Sequence, residues 1–142
     1  MRFTKSLSLL TAGALAAMAA MSPASADVKV EVENATYQLR GLTTKAIDQD
    51  LHRSGRKEQD NIIAGEISDQ VSWTFNLAEI SGSCRVATST VLLKLNVVMP
   101  VWVDEKQAPQ DVRDTWRIYY GNLKAHQDGH ASIAIDAANR IG

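Results

Sequence analysis

The fold is decided by the stretch Arg85-Val-Ala-Thr-Ser-Thr-Val-Leu-Leu-Lys-Leu-Asn-Val-Val-Met99, which is followed by Pro100. Its odd positions from Val91 onward are apolar, whereas its even positions include polar residues such as Lys94. Alternation with a period of two is typical of a strand with one buried face. The pattern predicts a long strand from Arg85 to about Met99, which Pro100 closes because proline lacks a backbone donor. The other side of this strand is expected to be solvent or a free edge.

Shorter signals of the same kind precede this strand. Period-two alternation predicts a strand at Val28–Glu33, and Tyr37–Leu42 is predicted to return beside it as a second strand. The segment Thr43–Arg53 begins with cap-forming residues and predicts a short amphipathic helix. A further strand is predicted around residues 71–77, with one apolar face formed by Val71, Trp73, Phe75 and Leu77.

The period changes to that of a helix from Pro109 to Ile141. Steps of three and four define a stripe that is expected to face the sheet, made of Val112, Trp116, Tyr119, Leu123, His126, His130, Ile133, Ala137 and Ile141. Together these signals predict an α+β domain with a mostly antiparallel sheet, a short N-terminal helix and a long C-terminal helix.

Two histidines on that stripe, His126 and His130, carry the only pattern with chemical content. Residues four apart stand one turn above each other on a helix, so both imidazoles can reach one metal ion. This is the ligand spacing of the His-Glu-x-x-His helix of zinc metallopeptidases. The other interpretation is that both histidines are core residues held by buried hydrogen bonds.

The N-terminus predicts export. Residues 1–26 combine Arg2 and Lys5 with an apolar run and the small residues Ala24-Ser25-Ala26, which favour cleavage after Ala26. The 116 residues that remain, 27–142, are expected to form one domain in the periplasm or outside the cell. No later stretch has the ~20 apolar residues that a membrane span needs.

The composition excludes nucleic acid as a partner and leaves the role of a single cysteine open. Loss of Arg2 and Lys5 takes the formal net charge from −1 to −3, and no basic patch for nucleic acid is present. Cys84 is the single cysteine, which is unusual for an exported protein. It is expected to be a buried small hydrophobe, an intermolecular partner, or half of a bridge whose other half is missing.

The chain resembles a bacterial domain-of-unknown-function family whose members are described as predicted secreted zinc-dependent proteases. The resemblance covers most of residues 27–142 and is carried by ordered blocks, which are Tyr37-Gln-Leu-Arg-Gly41, Val71-Ser-Trp-Thr-Phe75, Ser83-Cys-Arg-Val86, Met99-Pro-Val-Trp102, Trp116 and Leu123-Lys-Ala-His126-Gln-Asp-Gly-His130. It implies a zincin-like domain in which His126 and His130 bind zinc.

The sequence departs from the family pattern in two ways. Gln127 stands where the family has the glutamate that accepts a proton from the metal-bound water, and a carboxamide cannot accept that proton. The third ligand is also unassigned. Asp136 lies ten residues after His126, the spacing of the third metzincin ligand, but on an unbroken helix it is ~9 Å along the axis from His130. Glu66, Asp69 and His52 are alternative donors, and the short C-terminus suggests a truncated member.

Three functions remain open. The first is an exported zinc-dependent peptidase in which Gln127 or another group orients the water and an extended peptide or protein substrate adds to the free edge of the Arg85–Met99 strand. The second is a lapsed relative that keeps the fold, with or without the metal, and serves as a binding or envelope-interaction protein. The third is a structural domain without a metal.

Overall fold

A computed structural model describes residues 26–141 of the chain. The predicted export signal therefore lies, apart from Ala26, outside the described residues. The elements in chain order are β1 (Ala26–Leu39), α1 (Thr44–Ser54), β2 (Arg56–Glu58), β3 (Asn61–Ile63), β4 (Glu66–Ile80), β5 (Ser83–Trp102), a short 3₁₀ helix (Glu105–Gln107) and α2 (Gln110–Ile141). The predicted α+β class is confirmed. None of the helices within residues 26–141 is long and apolar enough to cross a membrane.

The main sheet has the strand order β1-β5-β4, so the long predicted strand is its centre. β4 pairs with β5 in antiparallel register, whereas β1 pairs with it in parallel from Ala26 opposite Ser89 to Leu39 opposite Trp102. β2 and β3 form a separate antiparallel pair. Two of the three strand pairs among the described residues are antiparallel, so the predicted mostly antiparallel pairing is confirmed. The expected free edge along Arg85–Met99 is wrong, because β1 covers that edge from Ser89 onward.

The first strand is continuous, and the predicted return strand at Tyr37–Leu42 is wrong. The N-terminal chain runs straight through residues 34–36 because β1 lies beside β5 in unbroken parallel register along its whole length. This parallel ladder carries the chain to Gly41, where φ is +138°. A side chain there would also approach the backbone nitrogen of Ile47 at 2.9 Å, so the turn into α1 requires glycine.

Polar groups tie this turn to its neighbours. Thr43 caps α1 by accepting a hydrogen bond from the backbone nitrogen of Ala46 (3.2 Å), as the sequence predicts. The buried carboxylate of Asp50 accepts from the Arg53 guanidinium and from the backbone N–H of Arg40, and these bonds hold the pKa of Asp50 below its ordinary value. The start of α1 is therefore fixed against the end of β1.

Two apolar clusters hold α2 on the sheet. The first joins α1 and the ends of β1 and β5 to the first turns of α2, through Leu39, Ile47, Trp102, Ala108, Val112 and Trp116. The second joins β5 to the last turns of α2, through Val91, Leu93, Leu95 and Ala138, with Ala131, Ala134 and Ile135 half-buried against them. Burial of each large side chain contributes roughly 1.5–3 kcal/mol.

The face of α2 that meets the sheet differs from the predicted stripe. Val112 and Trp116 are buried as expected, but from there the contact follows Tyr120, Leu123, Gln127, Ala131, Ala134 and Ala138. Ile133 is 69% exposed. Toward its C-terminal end the true stripe is formed mainly by alanines, with Ile135 half-buried beside them, whereas Ile133 turns to solvent.

The distal part of the β4–β5 hairpin is more exposed than its pattern indicates. Val71 is half-buried against the second cluster, whereas Trp73, Phe75 and Leu77 are 62%, 56% and 58% exposed. Trp73 stands opposite Val91, which packs with Ala138 of α2, and Phe75 and Leu77 follow it toward the tip of the hairpin. Cys84, near the tip, is exposed and forms no disulfide, so the expectation of a buried small hydrophobe is wrong.

Candidate functional site

The two histidines of α2 meet at their ring nitrogens on the surface of the helix. Nε2 of His126 lies 3.1 Å from Nε2 of His130, and the rings stand edge to face with centroids 4.6 Å apart. Both side chains are exposed. The prediction that they face the sheet is therefore wrong, since the contact stripe is rotated by one residue and turns Gln127 inward instead.

The spacing of the two nitrogens fits a shared metal ion. Metal–nitrogen bonds of ~2.0–2.1 Å to two atoms 3.1 Å apart enclose an angle of roughly 100°, near the tetrahedral value. Zinc, copper and nickel all accept neutral imidazole ligands. The pair can therefore act as a two-donor chelate, and both residues are exposed to solvent. In the tautomers that place a proton on one Nε2 only, the same contact is an N–H···N hydrogen bond.

Gln127 lies on the adjacent face of α2, roughly 60–100° around the helix from the two histidines. Its side chain is 6% exposed, and its Nε2 donates a hydrogen bond of 2.9 Å to the backbone carbonyl of Gly65, between β3 and β4. Gly65 is buried and packs against Leu123 and Met99. The amide thus satisfies a buried carbonyl, a contact that a carboxylate cannot replace because it has no proton to donate.

The other candidate donors lie elsewhere or have partners of their own. Asp136 is exposed on α2, beyond the turn that carries His130. Glu66 forms a 2.7 Å ion pair with Arg56, and the His52 Nδ1 lies 2.9 Å from the backbone oxygen of Asp48. Among residues 26–141 the structure brings no three His, Cys, Asp or Glu side chains together as a metal site. The two-donor chelate fits a metal, while a catalytic centre with three protein ligands is not assembled from the described residues.

Asp128 has no role in the chelate. Its carboxylate accepts hydrogen bonds of 2.6 and 2.9 Å from the Lys124 ammonium, one turn earlier on α2. The residue is exposed, and on a regular helix it points ~200° away from His126. The one carboxylate inside the His126–His130 segment is therefore directed away from the two imidazoles.

A groove that the sequence does not predict lies between α1 and α2. This α1/α2 groove encloses about 160 Å³ and is mostly apolar, and it is lined by Thr44, Ile47, Asp48, Leu51, Val112, Thr115, Trp116 and Tyr119. Burial, with a smaller contribution from the Asp48 carboxylate, raises the pKa of the Tyr119 phenol above its ordinary value. The amphipathic spacing of Ile47 and Leu51 was the one available signal, and it predicts a buried face rather than a groove.

The α1/α2 groove and the histidines share one flank of α2. Thr115, Tyr119, His126 and His130 follow each other at steps of four, seven and four residues, which keeps them on one side of a helix. Tyr119 is ~10 Å along the axis from His126. The flank therefore runs from an apolar groove at one end to a pair of metal donors near its middle.

Comparison with known proteins identifies the family. A family model described as "Bacterial protein of unknown function (DUF922)" matches residues 34–142, which include all of α1, β4, β5 and α2. No curated protein and no solved structure is similar enough to match. The matched region holds every block of the resemblance and both histidines, so the chain belongs to the bacterial family DUF922.

Proposed function

We propose that this protein is an exported, non-proteolytic relative of zinc-dependent peptidases that binds a divalent metal ion, with zinc as the expected ion, through His126 and His130. It acts outside the cytoplasm as a metal-dependent binding protein for a peptide or protein partner. The zincin-like character of the domain belongs to the same proposal. The export signal at residues 1–26 and the family resemblance support its location.

One observation carries the proposal, namely that the His126–His130 segment is divided between an exposed face of α2 and the adjacent buried face. The imidazoles face solvent with their Nε2 atoms 3.1 Å apart, whereas the Gln127 amide is buried against the Gly65 carbonyl. A bound metal ion supplies a positive centre with open coordination positions. The residue that would act on a water molecule there is already engaged with the sheet.

The chemistry of Gln127 supports the loss of proteolysis independently of its position. A carboxamide does not take up a proton at any ordinary pH, and general-base catalysis is worth ~10²–10⁴ in rate. Asp128, the nearest carboxylate in the chain, is paired with Lys124. The described residues thus offer two metal donors and no base directed toward them.

The expected result in a hydrolysis assay is no metal-dependent cleavage. The purified protein, saturated with zinc, is incubated with a mixed peptide library, and cleavage is followed by mass spectrometry beside the His126→Ala variant as the metal-free background. We expect the parent and the Gln127→Glu variant to match that background. A carboxylate introduced at position 127 still meets Gly65 rather than the imidazoles, so it restores no base.

One outcome of this assay would contradict the proposed function, and a second would contradict only the placement of residue 127 away from the metal. Cleavage by the parent that is lost in His126→Ala would identify an active zinc peptidase, the other function that the sequence leaves open. Cleavage that appears only in Gln127→Glu would show that position 127 reaches the metal-bound water.

A further inference from the structure

We infer that the metal site on α2 is completed by a second copy of this chain, so that one metal ion bridges the His126–His130 pairs of two molecules. This inference rests on the proposed metal binding and adds the partner. The structure assigns the second copy to the flank of α2 that carries the histidines and the α1/α2 groove. The partner helix runs antiparallel across a two-fold axis through the metal.

A closed zinc site needs more protein ligands than one copy of this chain presents. Tetrahedral zinc in a closed site takes four protein ligands, and this chain presents two nitrogens with suitable spacing. Within residues 26–141 no further His, Cys, Asp or Glu side chain joins them in a metal-binding group. A second copy supplies two identical imidazoles, and because the site lies on the exposed surface of a helix, nothing on the same element blocks its approach.

The centre of this flank of α2 carries no fixed charge. Around the two histidines, the residues that share the flank are Asn122, Gly129 and Ile133. All three are exposed, and no described atom lies within 4 Å of where a side chain of Gly129 would begin. Two copies can therefore approach here without like-charge repulsion, and Ile133, 69% exposed, gains an apolar contact.

The position of the α1/α2 groove also favours a second copy as the partner. In an antiparallel pair with the metal between positions 126 and 130, residue 141 of one helix lies opposite residue 115 of the other. Each is ~20 Å along the axis from the metal. Thr115 lines the mostly apolar α1/α2 groove, and Ile141 is an apolar side chain that is 56% exposed. In this arrangement Ile141 of each copy lies at the α1/α2 groove of the other. The contact therefore occurs twice, once on each side of the two-fold axis.

Charge is complementary at the same place. Asp48 lies at the rim of the α1/α2 groove, and its carboxylate is 66% exposed. Arg140 precedes Ile141, is exposed, and forms no salt bridge with any other residue of the described chain. The antiparallel alignment brings the second copy's Arg140 to the side of the groove where Asp48 stands. Such pairs set the orientation of an interface more than its strength.

Sedimentation velocity and zinc titration of the same sample test the inference. The full chain is purified under reducing conditions, so that exposed Cys84 cannot cross-link it, stripped with EDTA, and measured with and without zinc. We expect a monomer without metal, a dimer with zinc at about 0.5 ions per chain, and a return to monomer on renewed chelation. His130→Ala is expected to remove both the dimer and the half-integral stoichiometry.

A charge reversal tests the protein–protein contact independently of metal binding. Asp48→Arg is expected to weaken the zinc-dependent dimer roughly tenfold or more, because like charges then face each other. The double variant with Arg140→Asp is expected to restore it. Lys124→Glu, a charge reversal on a different side of α2, is the matched control and is expected to leave the dimer unchanged.

The outcomes are distinct for this inference and for the proposed function. Zinc bound at one ion per chain to a monomer would overturn the bridge and leave the two-donor site standing. No zinc binding would overturn both. A dimer that persists in EDTA or in His130→Ala would also overturn the bridge, since metal would not hold it together.

Discussion

Replacing Gln127 with glutamate is expected to lower the free energy of unfolding by about 2–4 kcal/mol at pH 7. The Gln127 amide donates to the buried Gly65 carbonyl, and an ionised carboxylate there would face an oxygen lone pair without solvent. The introduced group can avoid this only by staying protonated. Holding a carboxyl with an ordinary pKa of about 4.3 neutral at pH 7 costs about 3–4 kcal/mol.

The pH dependence of this loss distinguishes it from a simple packing defect. The introduced carboxyl is expected to have a raised pKa in the folded state because of burial and the nearby carbonyl. Its penalty is absent below the ordinary pKa and grows as the pH rises toward the folded-state pKa, so the variant approaches the parent near pH 4 and falls below it near pH 7.

Urea unfolding of both proteins at a series of pH values measures this difference. Gln127→Leu is the control, because it removes the hydrogen bond without adding an ionisable group, and its deficit is expected to stay constant with pH. A Gln127→Glu variant as stable as the parent at pH 7 would mean that residue 127 is not buried against Gly65.

Zinc is expected to stabilise the parent protein and to lose that effect when either histidine of the pair is removed. A ligand at a free concentration of 100 times its dissociation constant adds about 2.7 kcal/mol to the free energy of unfolding. One imidazole cannot chelate, so His126→Ala is expected to abolish most of this gain. Removal of an exposed side chain leaves the metal-free stability within about 0.5 kcal/mol of the parent.

Thermal unfolding with and without zinc measures the effect. His52→Ala is the matched control, since His52 is the third histidine of the chain, is exposed, and lies on α1 next to Asp48 rather than beside the pair. It is expected to keep the full response to zinc. If His52→Ala loses the response and His126→Ala keeps it, the metal binds elsewhere.

Period-two alternation identified the strand cores because burial on one face leaves a direct trace in the sequence. The strand around Val91, Leu93 and Leu95 was placed correctly, and all three side chains are at most 2% exposed. Alternation shows which residues share a face but not how far that face is covered. Trp73 and Phe75 lie on the same face as Val71, yet both are more than half exposed, although Trp73 stands opposite buried Val91.

The sequence does not determine which face of α2 packs against the sheet. Tyr119 and Tyr120 are adjacent and alike, so two stripes one residue apart are both consistent with Val112 and Trp116. The choice is made by tertiary contacts with the sheet, which bury Ala138 and partly bury Ala131 and Ile135 but leave Ile133 exposed. The error moved both histidines to the wrong face. The Gly65 carbonyl, which accepts the hydrogen bond from Gln127, is 62 residues from it in sequence, and no local pattern predicts this contact.

Gln127 and the proposed metal site are separate, since Gln127 is held by the Gly65 carbonyl on the adjacent face of α2, and this separation is the central claim. Nitrogen NMR of the isotopically labelled chain during a zinc titration tests it most directly. We predict that the Nε2 resonances of His126 and His130 shift together. The side-chain amide of Gln127, held by Gly65, is predicted to keep its resonance and its protection from hydrogen exchange. An amide resonance of Gln127 that shifts with the imidazoles and loses its protection would contradict the account, because it would place that residue in the metal site.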